Sequence, residues 1–306
     1  MAESSIPVDL LNPGQVFACL GFLEASDLLL GNAEGAFDWS NEADIRFRLS
    51  AAGAINPFEI VLDHLANAEV TEIEPHGWPS THDATAIVSE TFPSPLGVHF
   101  SDKKWSRTKL PGRIVCGKER TTRSLDLFNW SDGSSRLDFK LYSGNRTGAS
   151  IARDMLCGKR KKPNKRNPLG ELESKGLRQL MEDNRNGVIR DPFNVLCELG
   201  GSFNMDPRGG WTSLDIGFSI NEIATIRIVA SPIVEILAVI GLENARPTEI
   251  RTRVVRYAVW RDMLSPMLAR AALSAIDAGV ECRSFRSNLD LSGKNKVVTF
   301  AEPESQ

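Results

Sequence analysis

The stretch Asn12–Gly31, NPGQVFACLGFLEASDLLLG, is the longest well-delimited element of the chain. Asn12 can cap a helix, Pro13 suits a first helical turn, and Gly31 can end the helix. Large apolar residues recur along the stretch, namely Val16, Phe17, Leu20, Leu23, Leu28 and Leu30. Because a helix that is apolar on most sides avoids water, the stretch predicts a buried helix.

Outward from this helix, strand-like and helix-like patterns alternate irregularly. Apolar and polar residues alternate as in strands in AFDWSNEADIRFRLSA. A second Asn-Pro pair starts a predicted helix in NPFEIVLDHLANAE. A hairpin is predicted from two strand-like segments, RSLDLFNW and SRLDFKLYSG, which flank the turn SDGS. Later in the chain, a helix that stops at Pro247 is predicted from SPIVEILAVIGLENARP. A single strand is predicted from TEIRTRVVRYAVW, and a last helix from SPMLARAALSAIDAG. The order favours an α+β fold, with mixed, mostly antiparallel sheets and several packing helices.

Composition narrows the class of protein. The chain has 306 residues and 42% hydrophobic residues, enough for one large domain or two medium ones. The apolar runs fall short of the roughly 20 residues of a membrane-spanning helix. The first residues lack the basic start and apolar core of a secretion signal. The five cysteines form no short pair spacing, which predicts neither disulfides nor a zinc knuckle. We therefore expect a cytoplasmic protein without a membrane partner.

The net charge of −3 conceals a segregation of charge along the chain. Residues 1–100 hold 2 basic and 15 acidic residues, residues 101–190 hold 22 and 10, and residues 191–306 hold 12 and 14. We predict three parts: an acidic α/β N-terminal part, a basic hairpin-helix part with a flexible loop, and an α+β C-terminal part. The three parts could form one continuous domain. The basic part suits phosphates, and the acidic part could face a basic protein or repel nucleic acid.

The basic part is densest in KLYSGNRTGASIARDMLCGKRKKPNKR, residues 140–166. Thr147 can cap a helix from about Gly148 to Cys157, and Gly148 could let an anion approach the helix N-terminus. The lysine run after this helix predicts an exposed, mobile loop that contacts phosphates. The alternative is a solvated loop without such contacts. Aromatic residues nearby, Trp105, Phe128, Trp130, Phe139 and Tyr142, could stack on bases. The predicted nucleic-acid-binding residues are Lys140, Arg146, Arg153, Lys159, Arg160, Lys161, Lys162, Lys165, Arg166 and Arg208.

Catalytic patterns are sparse. The best candidate is HGWPSTHD, with His76, His82 and Asp83, in which the adjacent pair His82-Asp83 resembles a fragment of the HD metal-dependent phosphohydrolase signature. Such a site needs further ligands, and only His64 and His99 remain in the chain. We therefore assign no catalytic residue, metal or cofactor, and favour a protein without catalytic activity. One alternative stays open, an endoribonuclease that uses His76 or His82 as acid or base.

Several unusual strings occur in the chain in a fixed order. They are IPVDLLNPGQVFACLGFLEASDLLLG, LYSGNRTGASIARDML, FNMDPRGGWTSLDIGFS, SPIVEILAVIGLENARP and RVVRYAVW. Together they resemble small proteins encoded in type I-G (formerly I-U) CRISPR-Cas operons. The resemblance implies a Cascade subunit in antiviral defence, whose partners are guide RNA, target DNA and other effector subunits. The large-subunit position near the guide's 5′ end is one place it could fill. The alternatives are guide-RNA processing and a protein scaffold without nucleic-acid contact.

Overall fold

The architecture is taken from a computed structural model of the chain. It describes residues 1–75, 87–89, 110–116, 123–130, 139, 141–142, 146–162, 168, 170–210, 228–276, 279–292 and 295–304. Structural statements below concern these residues.

The N-terminal elements form a three-stranded antiparallel sheet with two helices. They are β1 (Ala2–Pro7), α1 (Pro13–Leu30), β2 (Glu34–Asp38), β3 (Arg46–Ala51) and α2 (Pro57–Asn67). β3 is the middle strand of this sheet. Phe47 and Leu49 on β3 are buried, and Arg46 and Arg48 lie nearer the surface, as the alternation predicts.

The central elements form a four-stranded sheet, two helices and a two-stranded ribbon. The sheet contains β4 (Glu69–Pro75), β5 (Ile87–Ser89), β6 (Gly112–Val115) and β7 (Leu125–Leu127), in the order β5-β4-β6-β7. Only the β4–β5 pair in it is parallel. Then follow α3 (Gly148–Cys157), β8 (Lys159–Arg160), β9 (Leu172–Ser174) and α4 (Leu177–Arg190). α3 packs on β4, and α4 packs on α2.

The C-terminal elements form an antiparallel sheet and two helices. They are α5 (Pro232–Gly241), β10 (Thr248–Arg251), β11 (Val254–Trp260), α6 (Pro266–Leu273), β12 (Cys282–Ser292), β13 (Asn295–Val298) and β14 (Glu302–Pro303). The sheet order is β10-β11-β12-β13, and β14 also pairs with β12.

The centre of the molecule is the pair α1 and α5. All ten residues of α5 are buried, as are most of α1. The N-termini of the two helices lie close together: the amide of Asn12 and the N–H of Ser231 both donate to the carboxylate of Asp206. A Cβ on Gly21 would lie 2.0 Å from the carbonyl oxygen of Leu237, so the two backbones approach closely at this glycine.

The α+β fold with mostly antiparallel sheets is confirmed. Helix starts at Asn12, Asn56 and Thr147 are also confirmed, since each side chain accepts a hydrogen bond from a backbone N–H of the first turn. The division into three parts stays a prediction. The turn and second strand of the predicted hairpin after β7 lie largely outside the described residues.

Three local predictions are wrong. The helix predicted to stop at Pro247, α5, ends at Gly241. The other two predictions concern strands. TEIRTRVVRYAVW is not one strand but the hairpin β10–β11, and Arg253 lies in its turn with a φ of 61°. Lys159 and Arg160, predicted in a mobile loop, form β8 and pair with β9. In both places, strand pairing specifies a conformation that the local pattern did not indicate.

Candidate nucleic-acid interface

The site begins at the N-terminus of α3. The Thr147 hydroxyl accepts from the backbone N–H of Ser150 at 3.0 Å, and the Ser150 hydroxyl accepts from the N–H of Thr147 at 3.1 Å. This reciprocal pair forms a capping box. It fixes the backbone that follows Arg146 and so positions the start of the helix.

Arg146 lies in a cleft of about 370 Å³, which is also lined by Tyr142, Ile151 and the backbone of the Gly200–Gly201 loop. Its guanidinium donates to the carbonyl of Gly200 at 3.1 Å and to the carboxylate of Asp154 at 2.5 Å. Its Nε is buried and finds no hydrogen-bond partner in the described part of the chain. The side chain remains 37% exposed, so the guanidinium can reach a ligand from solvent.

Two glycines connect this cleft with the β8–β9 ribbon. A Cβ on Gly201 would lie 2.9 Å from the Arg146 guanidinium, and a Cβ on Gly200 would lie 2.4 Å from the Cβ of Lys159. The glycine loop is therefore packed between Arg146 on one side and Lys159 on the other. The structure thus brings together two predicted residues that are 13 positions apart in the sequence.

The lysines of the ribbon are largely paired with acidic residues. Lys159 pairs with Glu173 at 2.7 Å, and Lys161 pairs with Glu171 at 2.6 Å. The hydrogen bond to Glu171 raises the pKa of Lys161, and the same bond lowers the pKa of Glu171. These pairs are largely solvent-exposed, so salt screens them and a phosphate could compete for the lysines.

Arg160 and Lys162 differ from these lysines. Arg160 donates to the carbonyl of Gly170 at 3.1 Å, and Lys162 is exposed. Neither forms an ion pair with a carboxylate in the described part of the chain. They and Arg146, which is paired with Asp154 but stays 37% exposed in the cleft, are the cations of this region that we assign to phosphate binding. We call Arg146, Arg160, Lys162 and the Gly200–Gly201 cleft the cationic cleft region.

Two predicted arginines instead hold the fold together. Arg153 donates to the carbonyl of Val70 at 3.0 Å and so joins α3 to β4. Arg208 donates to both carboxylate oxygens of Asp206 and to the carbonyl of Phe193 at 2.8 Å. The guanidinium of Arg208 is thus largely bonded within the protein, whereas Arg153 is exposed and keeps further donors besides this one hydrogen bond.

The expected anion approach at Gly148 is wrong. A Cβ at this position would lie 2.3 Å from the carbonyl oxygen of Trp130. The backbone at Gly148 therefore lies against a carbonyl oxygen, and this oxygen repels anions. Trp130 and Tyr142 are themselves buried, so these two aromatic residues belong to the core rather than to a base-stacking surface.

Sequence reasoning missed a buried carboxylate beside the site. Glu235 is fully buried on α5 and accepts from the backbone N–H groups of Phe203 at 2.6 Å, Met205 at 3.0 Å and Asp206 at 2.8 Å. Burial raises the pKa of Glu235 to about 7. The signal was present in PIVEILAVIG, where a single acid interrupts an otherwise apolar helix.

The remaining predicted residues, Lys140, Lys165, Arg166, His76, His82 and Asp83, lie outside the described residues, as does Trp105. Within the described ranges, no three His, Cys, Asp or Glu side chains are arranged to hold a metal ion. In the same part of the chain, no helix combines the length and apolar character needed to cross a bilayer. Comparison with protein-family models, curated proteins and solved structures gave no match to this chain.

Proposed function

We propose that this protein is a non-catalytic, nucleic-acid-contacting subunit of a type I CRISPR RNA-guided surveillance complex that acts against foreign DNA. Its binding surface is the cationic cleft region, and its ligand is the sugar-phosphate backbone of guide RNA or target DNA. The large-subunit position is the place in the complex that we assign to it. The proposal rests on the resemblance of several sequence strings to type I-G proteins and on the chemistry of this cleft.

The observation that carries the proposal is the setting of Arg146. The guanidinium is partly exposed in a cleft whose volume of about 370 Å³ lies within the roughly 300–1,000 Å³ of ligand pockets. One of its terminal amino groups already binds an anion, the carboxylate of Asp154, while the Nε is buried away from solvent. A phosphate matches the same forked donor geometry, so it can bind beside that carboxylate or replace it.

Such a surface suits a subunit of an RNA-guided complex. Base pairing with the guide reads the target sequence, so a protein subunit holds the backbone rather than the bases. Arg160 and Lys162 extend the cationic surface beyond the cleft. A backbone contact of this kind supplies affinity and register without sequence preference.

The test is binding of labelled guide RNA and duplex DNA over a series of salt concentrations. We compare the wild type with a triple variant, Arg146→Gln, Arg160→Gln and Lys162→Gln. We expect weaker binding and a shallower dependence of affinity on salt, by about 0.7–0.9 in log–log slope for each phosphate that the variant no longer neutralises. The control is a charge-matched triple variant, Arg48→Gln, Arg251→Gln and Arg286→Gln, which removes one half-buried and two exposed arginines that do not line the cleft.

Equal effects of the two triple variants would show that only net charge matters, and would overturn the assignment to the cleft. Absence of binding by the wild type at low salt would favour the alternative of a protein scaffold. The pairing of Lys159 and Lys161 with glutamates is the observation that favours this alternative, because these lysines are already neutralised within the chain. In that case, short RNA would fail to compete with a protein partner.

A further inference from the structure

A second concave surface lies between the N-terminal and C-terminal sheets. It consists of two adjoining cavities of about 760 and 310 Å³, both lined by Val8, Asp9, Ala43 and Ile45. The connection from β1 to α1 and the loop from β2 to β3 form one wall. The start of β12 and the end of β14 form the other wall of the larger cavity. We call this surface the acidic trough.

Carboxylates dominate the lining of the acidic trough. It carries two arginines, Arg208 and Arg283, of which Arg208 is neutralised by the buried carboxylate of Asp206. Against these stand five carboxylates from four separate segments of the chain, Asp9, Glu42, Asp44, Glu281 and Glu304. The convergence of like charges from different segments gives the trough a negative potential.

Some of these carboxylates already have arginine neighbours. Asp44 pairs with Arg46 at 3.2 Å, Glu281 with Arg261 at 2.9 Å, and Glu304 with Arg256 at 2.5 Å. None of these three arginines lines the trough, but Arg283, which does, pairs with Glu42 at 3.5 Å. Because exposed pairs are screened and weak, the carboxylates remain available to a competing cation on the trough side.

The trough also has an apolar component. Val8, Leu10 and Phe285 are buried residues of its lining. Leu11 and Phe300, which line the larger and the smaller cavity respectively, are 41% and 46% exposed. The carbonyl of Leu11 accepts from the N–H of Ala301, so the two exposed apolar residues lie on neighbouring segments. A ligand must therefore offer both positive charge and apolar surface.

We propose that the acidic trough binds a segment of a partner protein that is rich in lysine and arginine and carries an apolar anchor residue. The volume exceeds what a metal ion needs, and the carboxylates repel phosphates, so charge complementarity selects a basic polypeptide. The anchor packs against Leu11 and Phe300, and the basic side chains reach Glu42, Asp44 and Glu281. This interaction is separate from the proposed nucleic-acid contact, and it requires neither Arg146 nor the cationic cleft region.

The probe is a displayed library of random peptides, selected on the full-length protein. We expect the retained peptides to be enriched in lysine and arginine next to a large apolar residue. Their affinity falls about tenfold or more for the variant Glu42→Gln, Asp44→Asn, Glu281→Gln. The matched control, Glu171→Gln, Glu182→Gln, Asp183→Asn, removes three exposed carboxylates that do not line the trough, and it retains binding.

A second variant separates packing from charge. Leu11→Ser with Phe300→Ser weakens binding of the selected peptides while leaving its salt dependence unchanged. Retained peptides without basic enrichment, or equal loss in the control, would overturn the proposal. Guide RNA binding by the trough variants stays at the wild-type level, so failure here is distinguishable from failure of the nucleic-acid proposal.

Discussion

At the scale of single residues, Glu235 explains how the loop after the glycine pair is held. Its Oε1 accepts from the N–H groups of Met205 and Asp206, and its Oε2 accepts from the N–H of Phe203. These donors belong to a segment without regular hydrogen bonding of its own, and a buried N–H without an acceptor is costly. The carboxylate thus replaces the missing backbone acceptors and fixes the loop onto α5.

Replacing this carboxylate by an amide tests its role. In Glu235→Gln, one accepting oxygen becomes an NH₂ group, which faces either one or two backbone N–H donors. At pH 4.5, where Glu235 is protonated and its ionisation does not offset the loss, we expect the free energy of unfolding to fall by about 2 kcal/mol, because at least one buried donor loses its acceptor. Urea unfolding of the variant and the wild type measures this difference.

Glu182→Gln is the control for this change, since Glu182 is an exposed helical residue of α4. Surface changes of this kind alter stability by less than about 0.5 kcal/mol. A Glu235→Gln variant as stable as the control would mean that the loop does not depend on the carboxylate.

At the scale of elements, the contact between α1 and α5 depends on glycine. A Cβ on Gly21 would lie 2.0 Å from the carbonyl oxygen of Leu237 and 2.7 Å from its carbonyl carbon. Both atoms are backbone atoms of a buried helix, so they cannot turn away as a side chain could. For Gly21→Ala we expect a loss of stability of about 3 kcal/mol or more, despite the higher helix propensity of alanine. Thermal unfolding measures the loss.

The same helix offers a control, Ser26→Ala. The Ser26 hydroxyl is buried and finds no hydrogen-bond partner in the described part of the chain. Its removal should leave the midpoint of unfolding unchanged or raise it slightly, because alanine is the better helix former and no hydrogen bond is removed. If Gly21→Ala behaved like Ser26→Ala, the helices would not be in backbone contact.

Helix starts could be predicted from the sequence because their signals are local. Asn12-Pro13 and Asn56-Pro57 each combine a capping side chain with a proline suited to the first turn, and both helices start there. The β10–β11 turn lacked such a signal. Arg253 adopts a positive φ that glycine or asparagine would have indicated, so the segment looked like one continuous strand.

The contacts of the predicted site residues could not be predicted from local sequence signals. Arg146 contacts Gly200, which is 54 positions away, and Arg153 contacts Val70, which is 83 positions away. Which carbonyls and carboxylates a cation meets is set by the fold. The sequence could therefore identify a basic region but could not show that Arg146 lines a cleft and that Arg153 is exposed outside it.

At the scale of the whole molecule, the three charge segments share one core. Buried residues from Ile6 to Ala301 belong to a single hydrophobic cluster, which includes Ile114 and Met155 of the basic segment. The segregation of charge is therefore a property of the surface, where acidic and basic side chains meet different partners. The cationic cleft region is the positively charged surface and the acidic trough is the negatively charged one. A complex that contains both RNA and protein would use both surfaces.

Two carboxylates, the buried Glu235 and the half-buried Glu243, also predict how the stability of the whole protein depends on pH. Burial raises the pKa of Glu243 to about 7, as it does for Glu235, against an ordinary value of 4.5. Because the folded state binds these protons more tightly than the unfolded state, their contribution is fully present below about pH 4.5. It is lost as the pH rises from 4.5 to about 7.

Glu243→Gln isolates one of these two groups. The Glu243 Oε1 accepts from the N–H of Asn129, which an amide oxygen can also do, and its Oε2 finds no hydrogen-bond partner in the described ranges. Relative to wild type, the variant should gain up to about 3 kcal/mol of stability between pH 4.5 and pH 8, because the amide never ionises. Urea unfolding of both proteins at several pH values measures the difference. A difference that stays constant over this range would show that Glu243 ionises with its ordinary pKa.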